Sequence, residues 1–260
     1  MLKAKHINQI EDINKLSEDI TIVSIGNDFC ERLIVKDADF VSFYELTRKR
    51  NLQLRLKTPF ITESYIDDYC KLMEKISEDE MEIDITINDY GLLDYIQQNG
   101  LCQKCSFTLG RLLTRQKTDN LTGQLKDKVK DDTYSHFCTP VAQGAGYDQL
   151  YSKYRITHME VENVEHEIIL SKEPSGVKFV LLYPYVSVAS TRLCPYAIKD
   201  RDLKLSNCSK RCRQERYSVQ DDIQGRFVYI NNTIAYKNDV INRREIEGKF
   251  DILLDETWRF

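Results

Sequence analysis

Hydrophobic and polar positions along the chain predict an alternation of β-strands and α-helices. Residues 81–88 form the clearest strand, because Met81, Ile83, Ile85 and Ile87 occupy alternate positions and mostly polar residues lie between them. Seven further strands are predicted at residues 3–6, 21–26, 52–60, 105–113, 156–162, 177–188 and 250–255. Helices are predicted at residues 10–16, 37–49, 63–76 and 91–98.

Caps, turns and long loops are also indicated by the sequence. Thr62 is the predicted N-cap of the helix at residues 63–76. Residues 177–188 are almost wholly apolar, as expected of one continuous strand that is buried on both faces. Residues 227–236 predict a hairpin that turns at Asn231-Asn232. Residues 113–155 form a long connection, and connections of that length are usually functional or mobile.

Eight strands with helical connections favour a TIM-type (β/α)8 barrel. Three predicted strands also have a polar face, made of Arg55 and Lys57, of Asp84 and Asn88, and of His158, Glu160 and Glu162. In a barrel the apolar faces pack against the helices, so these polar residues point into the interior, where they require partners. An open antiparallel sheet with one solvated face is the alternative.

We expect a single α/β barrel domain over residues 1–260. A cysteine-rich loop and the hairpin form an insertion at residues 190–247, before the last strand. Because the first predicted strand is short, an incomplete or distorted barrel at the N-terminus is the alternative to a regular one.

Composition and charge exclude several classes of protein. The net charge is −4, with acidic and basic residues mixed, which gives no overall attraction to DNA or to an anionic membrane. There is no signal-peptide pattern and no apolar run of about 18 residues. We therefore expect a cytoplasmic protein, in which the eight cysteines are core residues, metal ligands or catalytic groups rather than disulfides.

Four cysteines carry the strongest chemical signal. Cys194, Cys208 and Cys212 lie close together in the sequence, and Cys30 directly follows the strand at residues 21–26. In a barrel the loops after the strands meet at one rim, and the loops after the second and seventh strands are near neighbours. We therefore expect the four thiols to converge and to bind either a 4Fe–4S cluster or a structural zinc ion.

The cluster is favoured over zinc, and a metal-free site is the remaining alternative. Zinc ribbons typically use two closely spaced cysteine pairs, whereas only Cys208 and Cys212 are so spaced here. Basic residues around the late cysteines can offset the negative charge of a cluster. They are Arg192, Lys199, Arg201, Lys204, Lys210, Arg211, Arg213 and Arg216. The alternative for these residues is a solvated basic loop.

The remaining cysteines give weaker signals. Cys102 and Cys105 have the spacing of a redox pair, but they begin a strand at the opposite rim, which favours a structural role. Cys70 is expected to lie on the apolar face of a helix and to be buried in the core. Cys138 lies in the long connection and is a candidate spare ligand or reactive thiol.

Four segments resemble peptidase family U-32, the collagenase-like group. They are GNDFCER at residues 26–32, FTLGRLL at 107–113, RITHMEVENV at 155–164, and YPYVSVASTRLCP followed by NCSKRC at 183–212. The cysteine layout is most similar to that of the members acting in oxygen-independent ubiquinone hydroxylation, and related members hydroxylate bases in RNA. This chain departs from the family at Glu162-Asn163, where the family has an aspartate followed by an asparagine.

The resemblance implies a 4Fe–4S cluster on Cys30, Cys194, Cys208 and Cys212. It also implies an enzyme or enzyme subunit that hydroxylates or otherwise modifies RNA or a small aromatic molecule, together with a homologous partner subunit in a heterodimer. A non-catalytic iron–sulfur partner subunit is one alternative. A peptidase is another, but the chain has no G-x-S-x-G or HExxH motif, and His136 near Cys138 is the one Cys–His pair to consider.

Three residues are candidates for catalysis beside the cluster. Arg111 is placed to hold a carboxylate or phosphate, with an ion pair to Asp84 or Glu160 as the alternative. Glu160 and Glu162 are candidate acid–base groups, with a satisfied buried network as the alternative. Three tyrosines are candidates to line an aromatic pocket, or else to serve packing alone: Tyr183, Tyr185 and Tyr196.

Overall fold

The computed structural model of the chain contains a closed barrel of eight parallel strands. It describes residues 1–119, 121–144, 146–170, 176–191, 193–199, 208, 210–213, 215, 217–219, 226–241 and 248–257. Twelve strands are numbered along the chain: β1 (Leu2–His6), β2 (Ile22–Gly26), β3 (Gln53–Lys57), β4 (Asp84–Ile87), β5 (Ser106–Leu109), β6 (Ile156–Glu162), β7 (Lys178–Tyr183), β8 (Tyr185–Ser190), β9 (Tyr217–Ser218), β10 (Phe227–Ile230), β11 (Thr233–Lys237) and β12 (Ile252–Asp255). The barrel order is β1-β12-β7-β6-β5-β4-β3-β2.

Helices connect most of the barrel strands. The α-helices are α1 (Asp37–Lys49), α2 (Ile66–Glu78), α3 (Tyr90–Gln98), α4 (Arg111–Thr114), α5 (Asp131–Cys138), α6 (Tyr147–Tyr154) and α7 (Pro195–Lys199). Short 3-10 helices occur at Ile10–Lys15, Glu31–Leu33, Thr122–Leu125, Val141–Gln143 and Arg211–Arg213. No helix in the described ranges has both the length and the apolar character needed to cross a membrane.

The predicted TIM-type barrel is confirmed, and its first strand is regular. β1 pairs in parallel with both β12 and β2, so the barrel is closed at the N-terminal strand rather than distorted. The outward faces of the strands and the apolar faces of the helices form the main core. On α2, for example, Tyr69, Leu72, Met73 and Ile76 recur at helical spacing and are all buried.

The barrel interior is divided into an apolar half and a polar half. Ala4, Ile22, Val180, Leu182, Ile252 and Leu254 form a separate buried cluster from β1, β2, β7 and β12. The predicted polar faces of β3, β4 and β6 supply the other half, in which Arg55, Lys57, Glu160 and Glu162 are buried. Alternation along each strand therefore separates the helix-facing core from the inward-facing residues.

Three local predictions are wrong. Residues 177–188 are two strands separated by Pro184, which has no N–H with which to continue a ladder. Thr62 does not cap α2, which begins at Ile66; instead its backbone N–H and hydroxyl donate to the Glu31 carboxylate at 2.6 and 2.9 Å. The strand predicted at residues 105–113 is too long, because β5 ends at Leu109 and α4 begins at Arg111. The long connection that follows contains α5 and α6.

A second, antiparallel sheet covers the carboxyl end of the barrel. Its order is β8-β11-β10-β9, and β8 follows barrel strand β7 directly. The predicted hairpin is confirmed as β10 and β11, which turn at Asn231-Asn232. Since active sites of such barrels lie at the carboxyl ends of the strands, this sheet lies over the region where a site is expected.

Candidate functional site

A network of buried charges fills the carboxyl end of the barrel. Lys57, the last residue of β3, points its Nζ inward, 2.7 Å from Asp28 Oδ2, 3.2 Å from Glu160 Oε1 and 2.6 Å from Glu256 Oε1. These carboxylates come from the loop after β2, from β6 and from the position after β12. One ammonium group therefore joins four parts of the barrel.

Arg111 is the second cation of this network. Its Nε lies 3.2 Å from Asp28 Oδ2, its Nη1 lies 2.9 Å from Glu162 Oε1, and its Nη2 contacts Glu256 Oε2. Its backbone N–H also donates to Glu160 at 3.2 Å. The expected ion pair between Arg111 and Asp84 is therefore wrong, because Asp84 Oδ1 lies 2.9 Å from Arg55 Nε instead.

Gly110 allows Arg111 to enter the barrel. A Cβ at this position would lie 2.3 Å from Asn88 Oδ1, so only glycine permits the approach. Asn88 Oδ1 accepts from the backbone N–H of Leu112 at 2.9 Å, and Asn88 Nδ2 donates to Asp28 at 3.0 Å. This asparagine thus fixes both the turn that carries Arg111 and the carboxylate that Arg111 meets.

The network contains more carboxylates than cations, and their pKa values diverge accordingly. Burial, only partly opposed by Lys57 and Arg111, raises the pKa of Glu160 to about 7. Burial also raises the pKa of Glu162. Arg111 and Lys57 overcome the effect of burial at Glu256 and lower its pKa to about 2. Glu160 is therefore the member that gains or loses a proton near neutral pH.

The second sheet covers this network. A pocket of about 160 Å³, which Arg111 and Glu162 help to line, opens beside β8. A smaller cavity of about 20 Å³, with room for about one water molecule, lies between the network and the sheet. Tyr185, Ser187, Ile230, Thr233 and Ala235 line this cavity from the sheet side. Arg111, Glu160 and Glu162 therefore lie in one buried network of charges, and a catalytic role for them stays a prediction.

The four predicted cysteine ligands lie at the rim above this network. Cys30 follows β2, and Asn27 Oδ1 accepts from the backbone N–H groups of Phe29 and Cys30 at 2.9 and 2.7 Å. Cys194 begins the turn into α7, and its carbonyl accepts from Ile198 at 3.0 Å. All four thiols are half-buried, and none forms a disulfide.

Electrostatic coupling shows that these thiols are neighbours. Burial raises the pKa of Cys30 to about 11, and the thiolate charges of Cys208 and Cys194 contribute to that increase. Burial likewise raises the pKa of Cys212 to about 12, with contributions from Cys30, Cys194 and Cys208. Because such interactions decline with distance, the early cysteine lies in the same region of the rim as the three late ones.

The hairpin turn ties the two cysteine-bearing segments together. Asn232 Nδ2 donates to the carbonyl of Phe29 at 2.9 Å and to the carbonyl of Thr191 at 2.8 Å. Phe29 precedes Cys30, and Thr191 lies three positions before Cys194. One side-chain amide therefore bridges the loop after β2 and the segment after β8.

Compact coordination of a single ion is not seen. Within the described ranges, no group of three or more His, Cys, Asp or Glu side chains is arranged to hold a metal ion. Of the expected basic residues, Lys210, Arg211 and Arg213 are described, and Arg211 Nη2 lies 2.8 Å from Glu215 Oε2. The others, Arg192, Arg201, Lys204, Arg216 and the Lys199 side chain, lie outside the described residues.

A cleft of about 720 Å³ opens beside the cysteines. Cys30 and Cys194 line it from one side. Its other walls include Phe29, Phe60, Tyr90, Leu112 and Arg115, from the loops after β2, β3, β4 and β5. Its volume is in the range of small-molecule sites, and it lies at the rim where barrel enzymes bind ligands.

The other cysteines lie apart from this rim. Cys102 and Cys105 are buried, and their thiols donate to the carbonyls of Met73 and Met81, both at 3.4 Å. Cys70 is half-buried on α2 rather than fully in the core. Cys138 is buried at the end of α5, where its described neighbours are Tyr134, Glu167 and Lys126 rather than the other cysteines.

The three candidate tyrosines have separate environments. Tyr185 lies over the buried network, as a predicted pocket residue would. Tyr183 neighbours Asp255 and Asp19. The hydroxyl of buried Tyr196 donates to the carbonyls of Glu215 and Tyr229, at 2.8 and 3.1 Å, so its role is structural.

Several residues of the site were missed by the sequence analysis. Asp28, Asn232 and Glu256 are not part of any alternating pattern, because they lie in loops or beyond strand ends. Position supplies a usable signal: Asp28 is two residues before Cys30, and Glu256 directly follows the last strand. Polar residues at those places in a barrel face the rim.

Comparisons with known proteins were made for the whole chain. No protein-family model matches it, and no curated protein matches it in sequence. Among solved structures it is similar to that of the U32 peptidase Mk0906, with a TM-score of 0.44 and 9% sequence identity, over 99% of this chain and 93% of that one. A likeness at this level carries no information about the activity of this chain.

Proposed function

We propose that this chain is a U-32-type protein that holds a 4Fe–4S cluster on Cys30, Cys194, Cys208 and Cys212. It would act as an enzyme, or as a subunit of one, in oxygen-independent hydroxylation or a related modification of RNA or a small aromatic molecule. The observation that carries the proposal is the convergence of four free thiols, from two distant stretches of sequence, at the carboxyl rim of the barrel.

Ligand spacing favours the cluster over zinc. A zinc ion with Zn–S bonds of about 2.3 Å needs sulfur atoms roughly 3.8 Å apart, in a compact tetrahedron. In a 4Fe–4S cluster each thiolate binds a different iron atom, so the sulfur atoms stand farther apart. The sequence spacing supports the second arrangement, because Cys208 and Cys212 are the one closely spaced pair among the four and zinc ribbons typically use two such pairs.

The protein's own residues support such a group in two ways. Asn27 and Asn232 fix the backbone that leads into Cys30, through hydrogen bonds to the N–H of Cys30 and the carbonyl of Phe29. Lys57 and Arg111 anchor Asp28, two residues earlier, from inside the barrel. When bound, the cluster supplies electron transfer or a site for substrate at the cleft.

The geometry gives little support to the alternative that the chain is a peptidase. His136 is exposed, whereas Cys138 is 1% exposed, so the one Cys–His pair to consider does not form a shared nucleophilic site. Glu160, Glu162 and Arg111 are each no more than 8% exposed, which leaves a peptide little of their surface to contact. A homologous partner subunit stays a prediction.

Single cysteine variants test the ligand assignment. We expect Cys30→Ala, Cys194→Ala, Cys208→Ala and Cys212→Ala each to lower the iron content of protein purified without oxygen. Cys70→Ala is the matched control, and Cys138→Ala tests the spare ligand; both are expected to retain iron. Thermal unfolding shows that each variant is folded. Full iron content in the four ligand variants would overturn the assignment.

The reaction is tested separately in cells. A deletion strain grown without oxygen is expected to lack a hydroxyl group on a nucleoside of RNA or on a quinone, and mass spectrometry detects either loss. Complementation with the wild-type gene should restore it, and complementation with Cys194→Ala should not. Unchanged nucleosides and quinones would count against hydroxylation while leaving the cluster proposal intact.

A further inference from the structure

The cleft beside the cysteines exposes aromatic surface. Phe60 and Tyr90 are 48% and 38% exposed, although large aromatic rings are normally buried. Phe60 follows β3 and Tyr90 follows β4, so the two rings lie on neighbouring loops of one rim. Exposed rings in a cleft of this size are typical of sites that stack a planar ligand.

The exposed charge in the cleft is positive. Glu31 accepts from Thr62, and Asp89 Oδ1 and Oδ2 accept from the backbone N–H groups of Leu92 and Ile61 at 3.0 and 3.1 Å. Both carboxylates are thus engaged by the chain itself. Arg115 is exposed, and no carboxylate in the described part of the chain forms an ion pair with it.

Arg115 lines the cleft from the C-terminal end of α4. Arg115 ends α4 in the left-handed region, at φ 51° and ψ 53°. The start of α4 is fixed by the close approach of Gly110 to Asn88. Arg115 lies close enough to Tyr90 to affect its pKa. Burial raises the pKa of Tyr90 to about 12, and the positive charge of Arg115 offsets part of that increase.

We propose that this cleft binds a planar aromatic ring carrying an anionic group, with Phe60 and Tyr90 against the ring and Arg115 on the anion. A guanidinium group is suited to a carboxylate or phosphate through paired hydrogen bonds. The bound ring lies next to Cys30 and Cys194, so the site deepens the proposed function by naming its substrate class. Both a free aromatic acid and a nucleotide have this chemistry.

Binding of simple probes to the full-length protein tests the proposal. We expect benzoate and phenyl phosphate to bind, measured by calorimetry, and cyclohexanecarboxylate and benzyl alcohol to bind about tenfold more weakly or not at all. Arg115→Gln should lower the affinity for benzoate by about tenfold, which matches the loss of one charge-assisted contact. Phe60→Leu and Tyr90→Leu should each lower the affinity for both benzoate and phenyl phosphate.

The control is Arg48→Gln, which removes an exposed arginine from α1 and should leave binding unchanged. Adenosine monophosphate and a short RNA oligonucleotide distinguish the source: binding tighter than that of benzoate indicates a nucleotide, and weaker binding indicates an aromatic acid. Equal binding of benzoate and cyclohexanecarboxylate, no binding of either aromatic anion, or no effect of Arg115→Gln would overturn the proposal.

Failure of this inference is distinguishable from failure of the proposed function. Iron and sulfide are measured in the same preparations. If iron-loaded protein binds no aromatic anion, only the cleft assignment fails. If protein without iron binds aromatic anions through Arg115, only the cluster assignment fails.

Discussion

At the scale of single residues, the barrel interior depends on two cations, Lys57 and Arg111. Both are almost fully buried, and each contacts three carboxylates. Burying a charge is costly, and that cost is offset only when partners are well placed. Removing one cation therefore leaves unpaired carboxylates in a medium of low polarity.

Replacing Lys57 tests the energetic role of this network. We expect Lys57→Met to lower the free energy of unfolding by about 3–5 kcal/mol, because it removes the ion-pair partner of buried Glu160 and leaves Asp28 and Glu256 with Arg111 alone. Denaturant titration measures the change. Lys3→Met, which removes an exposed lysine paired with Asp19 at 2.5 Å, is the control and should have little effect. Equal effects of the two substitutions would refute the network's importance.

Glu160 makes stability depend on pH. Its pKa is raised to about 7 in the folded protein, so it holds a proton that the unfolded chain releases above its ordinary pKa of 4.5. This contribution to the unfolding free energy is present below pH 4.5 and is lost as the pH rises through 7. Glu160→Gln cannot titrate and should lack this dependence.

The measurement is the difference in unfolding free energy between the wild type and Glu160→Gln. It should fall by about 1–3 kcal/mol between about pH 5 and 8. His6, whose pKa burial and Lys57 lower to about 4, acts in the opposite sense at lower pH, but it is present in both proteins. A difference that stays constant over this range would contradict the assignment.

Sequence patterns identify these residues only in part. Lys57, Glu160 and Glu162 are predicted to face inward because they alternate with apolar residues on their strands. Asp28 and Glu256 lie beyond strand ends, where alternation stops. The contact between Lys57 and Glu256 spans 199 positions, so its geometry requires the closed barrel.

At the scale of secondary-structure elements, the hairpin of β10 and β11 is the part that joins the two cysteine segments. Its turn carries Asn232, whose amide bridges the carbonyls of Phe29 and Thr191. Of its two strands, β11 pairs with β8, which follows barrel strand β7, and this pairing holds the second sheet over the barrel. The insertion therefore shapes the rim rather than extending away from it.

Asn232→Asp tests this bridge. The substitution replaces an amide donor with a carboxylate that faces two carbonyls, and we expect it to lower the unfolding free energy by about 1–3 kcal/mol. Alkylation of Cys30 in metal-free protein, followed by mass spectrometry, should become faster as the loops separate. Asn99→Asp, which removes a bond from Asn99 Nδ2 to the Tyr95 carbonyl, is the control. Unchanged alkylation of Cys30 in Asn232→Asp would argue against the bridge.

Element prediction succeeds where the pattern is regular and fails at junctions. All eight barrel strands and the hairpin follow from apolar alternation and turn residues. The second sheet does not, because residues 177–188 are apolar on both sides of Pro184 and hydropathy does not distinguish two buried strands from one. Thr62 was misassigned because a threonine before a helix has competing uses, and here it binds Glu31.

At the scale of the whole molecule, closure of the barrel brings Cys30 to the late cysteines. β2 and β7 are separated only by β1 and β12, so the segments that follow them meet at the same rim. Barrel topology therefore explains a site that no local motif encodes. Sequence spacing and topology do not by themselves identify the bound group. They favour a 4Fe–4S cluster over a zinc ion or a metal-free site, and metal analysis distinguishes the three.

Iron and acid-labile sulfide analysis of wild-type protein, purified without oxygen, tests the central proposal most directly. The proposed ligand set predicts brown protein with about four iron atoms and about four sulfides per chain. Colourless protein free of iron, whether or not it contains stoichiometric zinc, would contradict it.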